Sequence, residues 1–122
     1  MKPEFDADKS IFMQIAESIE DDILQRVIEE ETQVPSTNQL AALYRINPAT
    51  AGKGINLLVD EEVLYKKRGI GMFVKKGAAA KIRSKRRKSF VDKFIVPLMH
   101  EASNLNIPSD ELQAMIKKYG EN

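Results

Sequence analysis

Cysteine is absent from this chain, and disulfides, thiolate nucleophiles and cysteine-bound zinc or iron–sulfur sites are excluded with it. Histidine occurs once, at His100, next to a single carboxylate, Glu101. A lone imidazole in that setting reads as a surface or filler residue rather than a metal ligand. The chain also lacks a phosphate-binding glycine loop and a spaced set of carboxylates, so neither an enzyme nor a cofactor is expected. No stretch approaches the roughly 18 consecutive apolar residues that a membrane-crossing helix needs. The acidic opening from Met1 to Asp8 lacks the basic-then-apolar pattern of an export signal. These absences lead to the expectation of a cytoplasmic protein with no membrane partner.

Charge is present in quantity but unevenly placed. Nineteen Lys and Arg against eighteen Asp and Glu leave a net charge of +1 over 122 residues. Yet Lys66 to Val91 contains eleven basic residues and no acid, while acids crowd the segment up to Glu31. Salt screens each charge beyond about 10 Å, so the local patch governs what the surface attracts, not the total. The length allows one compact domain with an appended element.

Apolar spacing gives the elements. After Ser10, a plausible helix cap, Ile11, Ile15, Ile19 and Ile23 recur every four residues, with Phe12, Ala16 and Val27 widening the stripe. A first helix ending near Val27 is expected. Val34-Pro35 breaks the chain, and Ser36 then caps a short second helix with Leu40, Ala41 and Leu43 as its apolar positions. Within four residues of its end, Asn47 caps a third helix whose first position suits Pro48, since the missing N–H has no partner there anyway. Ala51, Gly54, Ile55 and Leu58 face inward; Ala49, Thr50, Lys53 and Asn56 face out. Two extended runs, Val63 to Lys67 and Met72 to Lys75, flank Arg68-Gly69-Ile70-Gly71 and predict a hairpin. A long helical stretch follows from Ala78 to about Ser103, with Pro97 expected to kink or interrupt it. Ser109 caps a last helix whose buried face is Leu112, Met115, Ile116 and Tyr119. Met72, Met99 and Met115 read as core.

Three helices, a tight turn between the second and third, and a basic hairpin directly after them make a winged helix-turn-helix. The fold class expected is therefore mainly α with a small β wing. Residues 1–77 form the winged domain, and residues 78–122 form a helical tail. The third helix fits the DNA major groove, and the glycine-rich hairpin tip can approach the backbone or the minor groove closely. Gly69 and Gly71 serve either a tight turn alone or that approach as well. The run from Lys81 to Lys88 is either a solvated helix face or a phosphate contact. Phe90, Phe94, Leu98 and Met99 form an apolar stripe with little domain left to pack on, so dimerisation through a second copy is expected. Packing back onto the first and last helices is the other way to cover it.

Several segments, taken in order, resemble the GntR family of transcription regulators. They are Ile11-Phe12-xx-Ile15-Ala16, Val34-Pro35-Ser36-xxx-Leu40-Ala41, Ile46-Asn47-xx-Thr50 and Arg68-Gly69-xx-Met72-Phe73-Val74. The resemblance covers roughly Ser10 to Lys76; the Asn-Pro-x-Thr form and the two-helix tail are similar to the YtrA subgroup. It implies double-stranded DNA as partner, a homodimeric repressor, a palindromic operator and frequent control of neighbouring transporter genes. Carried over position by position, the DNA contacts would be Ser36 and Asn38; Asn47, Ala49, Thr50 and Lys53; and Arg68, Gly69 and Gly71. Asn38 stands where the family usually has Arg, and Glu31 and Glu62 where turn glycines are common. Gly52 and Gly54 are unusual inside a helix. A small-molecule effector would have to sit between helices or subunits, because the tail encloses little volume. The alternative from another class is a winged-helix module that binds protein or RNA without specific DNA recognition.

Overall fold

A computed structural model describes residues 1, 4–6 and 9–120. Part of the acidic opening (Lys2, Pro3, Ala7 and Asp8) and the last two residues of the tail lie outside the described residues. The order of elements is α1 (Ile11–Leu24), α2 (Thr37–Tyr44), α3 (Pro48–Asp60), β1 (Leu64–Lys67), β2 (Gly71–Val74) and α4 (Ala78–Phe90), followed by a π-helical turn (Val91–Ile95), α5 (Val96–Asn104) and α6 (Ser109–Gly120). The chain divides into two compact units, Met1–Ser84 and Lys85–Asn122.

In the first unit, Ile15, Ala16, Ile19 and Ile23 of α1 meet Leu40 and Ala41 of α2 and Ala51, Ile55 and Leu58 of α3 in one core. The outer members of the expected α1 stripe do not join it: Ile11 is exposed, and Val27 is 67% exposed beyond the end of the helix. The helix stops at Leu24 because Arg26 takes a left-handed conformation (φ 61°), while the Val27 and Arg26 amides bond back to the carbonyls of Asp22 (2.8 Å) and Ile23 (3.2 Å). That termination usually employs glycine, so no residue in the sequence marks it. Ser10 occupies the cap position of α1 without a side-chain bond. Instead the buried Gln14 amide holds the preceding chain, accepting from the Asp6 N–H (2.6 Å) and donating to the Asp6 carbonyl (2.7 Å).

The second and third helices start as the sequence predicts. Ser36 and Gln39 form a reciprocal capping box, with the Ser36 hydroxyl accepting from the Gln39 N–H at 3.0 Å and the Gln39 carboxamide accepting from the Ser36 N–H at 2.8 Å. Asn47 Oδ1 accepts from the Ala49 N–H at 2.8 Å, and Pro48 opens α3. Leu43 departs from the reading: it is 62% exposed, because the short α2 buries only Leu40 and Ala41. Gly54 lets α3 lie against α1. A β-carbon there would stand 2.7 Å from the Phe12 carbonyl oxygen and 3.2 Å from Ile15 Cβ.

The hairpin is antiparallel, pairing Leu64 with Val74, Tyr65 with Phe73, Lys66 with Met72 and Lys67 with Gly71. Alternation sends Leu64 and Val74 into the core and leaves Tyr65 and Phe73 on the other face. The segment before α2 adds a third, short extended piece: Glu31 N–H donates to Val74 O, Val74 N–H to Thr32 O and Val34 N–H to Met72 O, all at 2.8–2.9 Å. The first turns of α4 also belong to this unit, with Ala78 and Ile82 in its core.

In the second unit, the helix is interrupted where Pro97 requires. Proline offers no N–H and its ring crowds the carbonyl four residues back, so the turn before α5 widens to π geometry. Ser109 lies inside α6 as its first residue, and the Pro108 carbonyl accepts the Leu112 N–H. Of the predicted buried face of α6 only Leu112 is buried; Met115, Ile116 and Tyr119 are exposed, as is Met99 of α5. The unit is too small to cover them, and Ala102 is its other buried apolar residue among the described residues.

Candidate nucleic-acid interface

The nine residues expected to touch DNA fall on three pieces of the first unit that are joined physically. Ser36 and Asn38 lie at the start of α2, both exposed. Asn47, Ala49 and Lys53 are exposed on the amino-terminal half of α3, with Thr50 half-buried beside them. Arg68 and Gly69 are exposed at the hairpin tip, and Gly71 is half-buried at its base. The two helices meet at Gly52, where an added β-carbon would lie 3.6 Å from Thr37 Cγ2. The hairpin joins them through Gln33, whose amide donates to the Ile70 carbonyl at 3.0 Å three residues before the Ser36 cap.

Local forces hold these side chains in place. Asn47 Oδ1 is engaged with the helix amide, so its carboxamide nitrogen is the half left to face outward. Lys53 Nζ sits 4.5 Å from the centre of the Phe12 ring, a cation–π contact that steadies a long side chain while leaving it exposed. A shallow groove of about 530 Å³ runs along this side of α3, lined by Phe12, Ala49, Gly52, Lys53, Asn56, Leu57 and Asp60. No contact demands a glycine at 52: the β-carbon would meet Thr37 at ordinary van der Waals distance. Gly69 (φ +79°) and Gly71 (φ +146°) occupy left-handed backbone that their neighbours could not adopt cheaply.

The basic stretch divides into two groups. Lys75 and Lys81 face Glu62 at 3.9 and 3.1 Å, and the same lysines hold the Glu62 carboxyl below the usual carboxylate range, the Lys81 hydrogen bond acting most strongly. These two cations are partly neutralised within the fold. Lys67 lies 4.1 Å over the Phe73 ring. Lys66 and Arg68 are exposed and make no ion pair among the described residues, so the hairpin tip presents positive charge outward. Among the described residues no group of three or more His, Asp or Glu could hold a metal ion, and no helix is long and apolar enough to cross a membrane.

Three carboxylates and an amide do work that the sequence does not advertise. Glu30 accepts from the Gly77 and Ala79 N–H groups at 2.9 and 3.0 Å, and these two bonds lower its pKa, with the Lys76 and Arg83 charges assisting. Glu31, in left-handed backbone, accepts from the Tyr65 hydroxyl at 2.8 Å, which raises the tyrosine pKa. Glu62 and Gln33 act as described above. Their partners lie 13 to 49 residues away, and no local spacing reveals such pairs.

Comparison with known proteins agrees with this geometry. Residues 12–74 match the model of the bacterial regulatory proteins, gntR family. The HTH-type transcriptional regulator YurK of Bacillus subtilis (strain 168) is 34% identical over 65 residues, which are 53% of this chain and 27% of YurK, so the chain spans about a quarter of that relative. A GntR-family crystal structure from Bacteroides thetaiotaomicron superposes with a TM-score of 0.70 at 34% identity, covering 91% of this chain and 96% of the other. YtrA from Sulfolobus acidocaldarius, a GntR-family transcription factor, shares the fold over 99% and 97% of the two chains, with a TM-score of 0.56 and 23% identity. The winged helix, its signature residues and the two-helix tail thus agree, and the chain belongs to the GntR family of DNA-binding transcription regulators.

Proposed function

We propose that this regulator is a homodimeric repressor acting in the cytoplasm, each copy reading one half of an inverted-repeat operator and blocking transcription by occupying the promoter. The amino-terminal half of α3 enters the major groove with Asn47, Ala49, Thr50 and Lys53 toward the bases. Ser36 and Asn38 face the adjoining backbone, and Arg68, Gly69 and Gly71 bring the wing against the sugar–phosphate wall. The observation that carries the reading is the exposed edge of α3, with α2 and α3 each starting on a satisfied cap and the segment leading into α2 tied to a cationic hairpin tip. The exposed apolar stripe of Phe90, Phe94, Leu98 and Met99 supplies the surface for a second copy.

The test is a fluorescence-anisotropy titration of the duplex upstream of the protein's own gene against a shuffled duplex of equal length, at several salt concentrations. Nanomolar binding with a steep salt dependence is expected for the first only. Lys53→Ala should cost about 1–3 kcal/mol on the operator and little on shuffled DNA. Arg68→Ala should weaken both, lowering the salt slope by about one. Equal affinity for the two duplexes would overturn operator recognition, and identical effects of the two variants would overturn the division of labour between α3 and the wing.

A further inference from the structure

Beside its exposed Lys66 and Arg68, the tip of the wing also presents one apolar side chain. Ile70 lies between the two left-handed glycines and is 64% exposed. A single exposed isoleucine is ordinary on a protein surface. The holding of its backbone is not. The Ile70 N–H donates to the Lys67 carbonyl at 2.9 Å, and the Ile70 carbonyl accepts from the Gln33 amide at 3.0 Å, from a residue 37 positions earlier. A β-carbon at position 71 would collide with that same Gln33 amide nitrogen, so Gly71 and Gln33 fit one another. Both peptide groups of the tip residue are fixed, and its side chain is what they leave outside.

Gln33 is itself exposed, and an exposed side-chain bond to a loop carbonyl adds little to global stability while costing the ordering of a flexible side chain. Its effect is local. Gln33 is tied to the rest of the wing by its bridge to Phe73, and it leads directly through Val34 and Pro35 into the capped start of α2. The tip therefore keeps a fixed position relative to the helices that would read the major groove.

We propose that Gln33 is a positioning residue for the wing, and that it holds Ile70 outward as an apolar contact in the minor groove, selecting A·T pairs at the operator flank. This rests on the operator reading given above. An A·T pair leaves the minor-groove floor without the amino group that a G·C pair places there, so a branched apolar side chain fits over A·T and is blocked over G·C.

Two measurements test it. In the DNA-free protein, the backbone ¹⁵N heteronuclear NOE of Gly69 to Gly71 should fall in Gln33→Met, which keeps side-chain length but loses the donor, while the melting temperature stays at the wild-type value. With DNA, flank adenines are replaced one at a time by 2,6-diaminopurine, which adds the minor-groove amino group and leaves the major-groove edge intact. Wild type should lose about five-fold or more at one symmetric pair of positions. Ile70→Ala and Gln33→Met should bind unmodified operator about two- to ten-fold more weakly and lose that sensitivity. An unchanged NOE in Gln33→Met overturns the positioning role. Wild-type indifference to diaminopurine, with binding still sensitive to major-groove changes under α3, overturns the Ile70 contact alone. Indifference to both overturns operator reading and the wing-tip role together.

Discussion

Gly52 and Gly54 sit two residues apart on α3, yet an added methyl meets different neighbours at each. At 54 it would lie 2.7 Å from a backbone oxygen of α1, which cannot rotate away, and 3.2 Å from Ile15. Gly54→Ala is therefore expected to destabilise by about 1–3 kcal/mol, the usual cost of overpacking. At 52 the methyl would touch only Thr37 at 3.6 and 3.9 Å. Gly52→Ala should stabilise by up to about 1 kcal/mol, because alanine loses less backbone entropy in a helix. Urea unfolding of the two variants in one buffer checks this, and a Gly54→Ala chain as stable as wild type or more so would show that the α1–α3 contact is not what requires Gly54. The neighbouring Lys53 stands over the Phe12 ring, while the Phe12 carbonyl packs on Gly54. One residue of α1 thus serves both the helix contact and the exposed edge of α3.

At the scale of elements, α4 begins on a side chain from far upstream. Glu30 accepts the amides of Gly77 and Ala79, satisfying two donors that a helix start leaves open. These bonds favour the carboxylate in the folded state, so the folded pKa lies below the unfolded one. The stabilisation is then fully present above the unfolded carboxylate pKa, about 4.3, and is lost as pH falls below it through the folded value. Glu30→Ala should cost about 1 kcal/mol at pH 7, comparable to a lost cap, and the gap from wild type should close in denaturant titrations carried into that acidic window. A gap that stays constant from pH 7 down to pH 3 would show that the carboxylate charge plays no part. The contrast with α2 and α3 explains what the sequence makes legible. Ser36, Gln39 and Asn47 act within three residues, and Ala51, Gly54, Ile55 and Leu58 mark the inward face of α3 by period alone. Ser36, Asn47, the exposed positions of α3 and the basic, glycine-rich hairpin tip are therefore within reach of pattern and spacing, and Asn38 comes from family resemblance. The end of α1 is illegible because Arg26 holds a left-handed position where glycine would have signalled a stop. Gln33, Glu30 and Glu62 are illegible because their partners come from other elements. Leu43 and the α6 stripe mislead for a different reason: apolar spacing identifies a face but not what covers it.

At the scale of the whole molecule, the two units differ in how far they bury their own apolar residues. The first closes a core over three helices and a hairpin. In the second, no residue from 85 to 101 is fully buried, and the Phe90 and Phe94 rings meet at a tilt, 5.5 Å between centres, with Phe94 still 63% exposed. Covering such a ring contributes about 1.5–3 kcal/mol, and a two-fold interface covers every member of the stripe twice. In the proposed dimer, pairing would in turn set DNA affinity, because the second half-site would bind at the effective concentration that the linkage imposes. Phe94→Asp places a charge in that surface, at a residue that is not a member of the first unit's core. Sedimentation should show the wild type as a dimer and the variant as a monomer. The melting transition of the winged unit should be unchanged, and affinity for the two-half-site duplex should fall about 100-fold or more, to that of a single half-site. A Phe94→Asp chain that still sediments as a dimer would place the subunit contact elsewhere. One that becomes monomeric yet binds the full duplex as tightly as wild type would break the link between pairing and operator affinity.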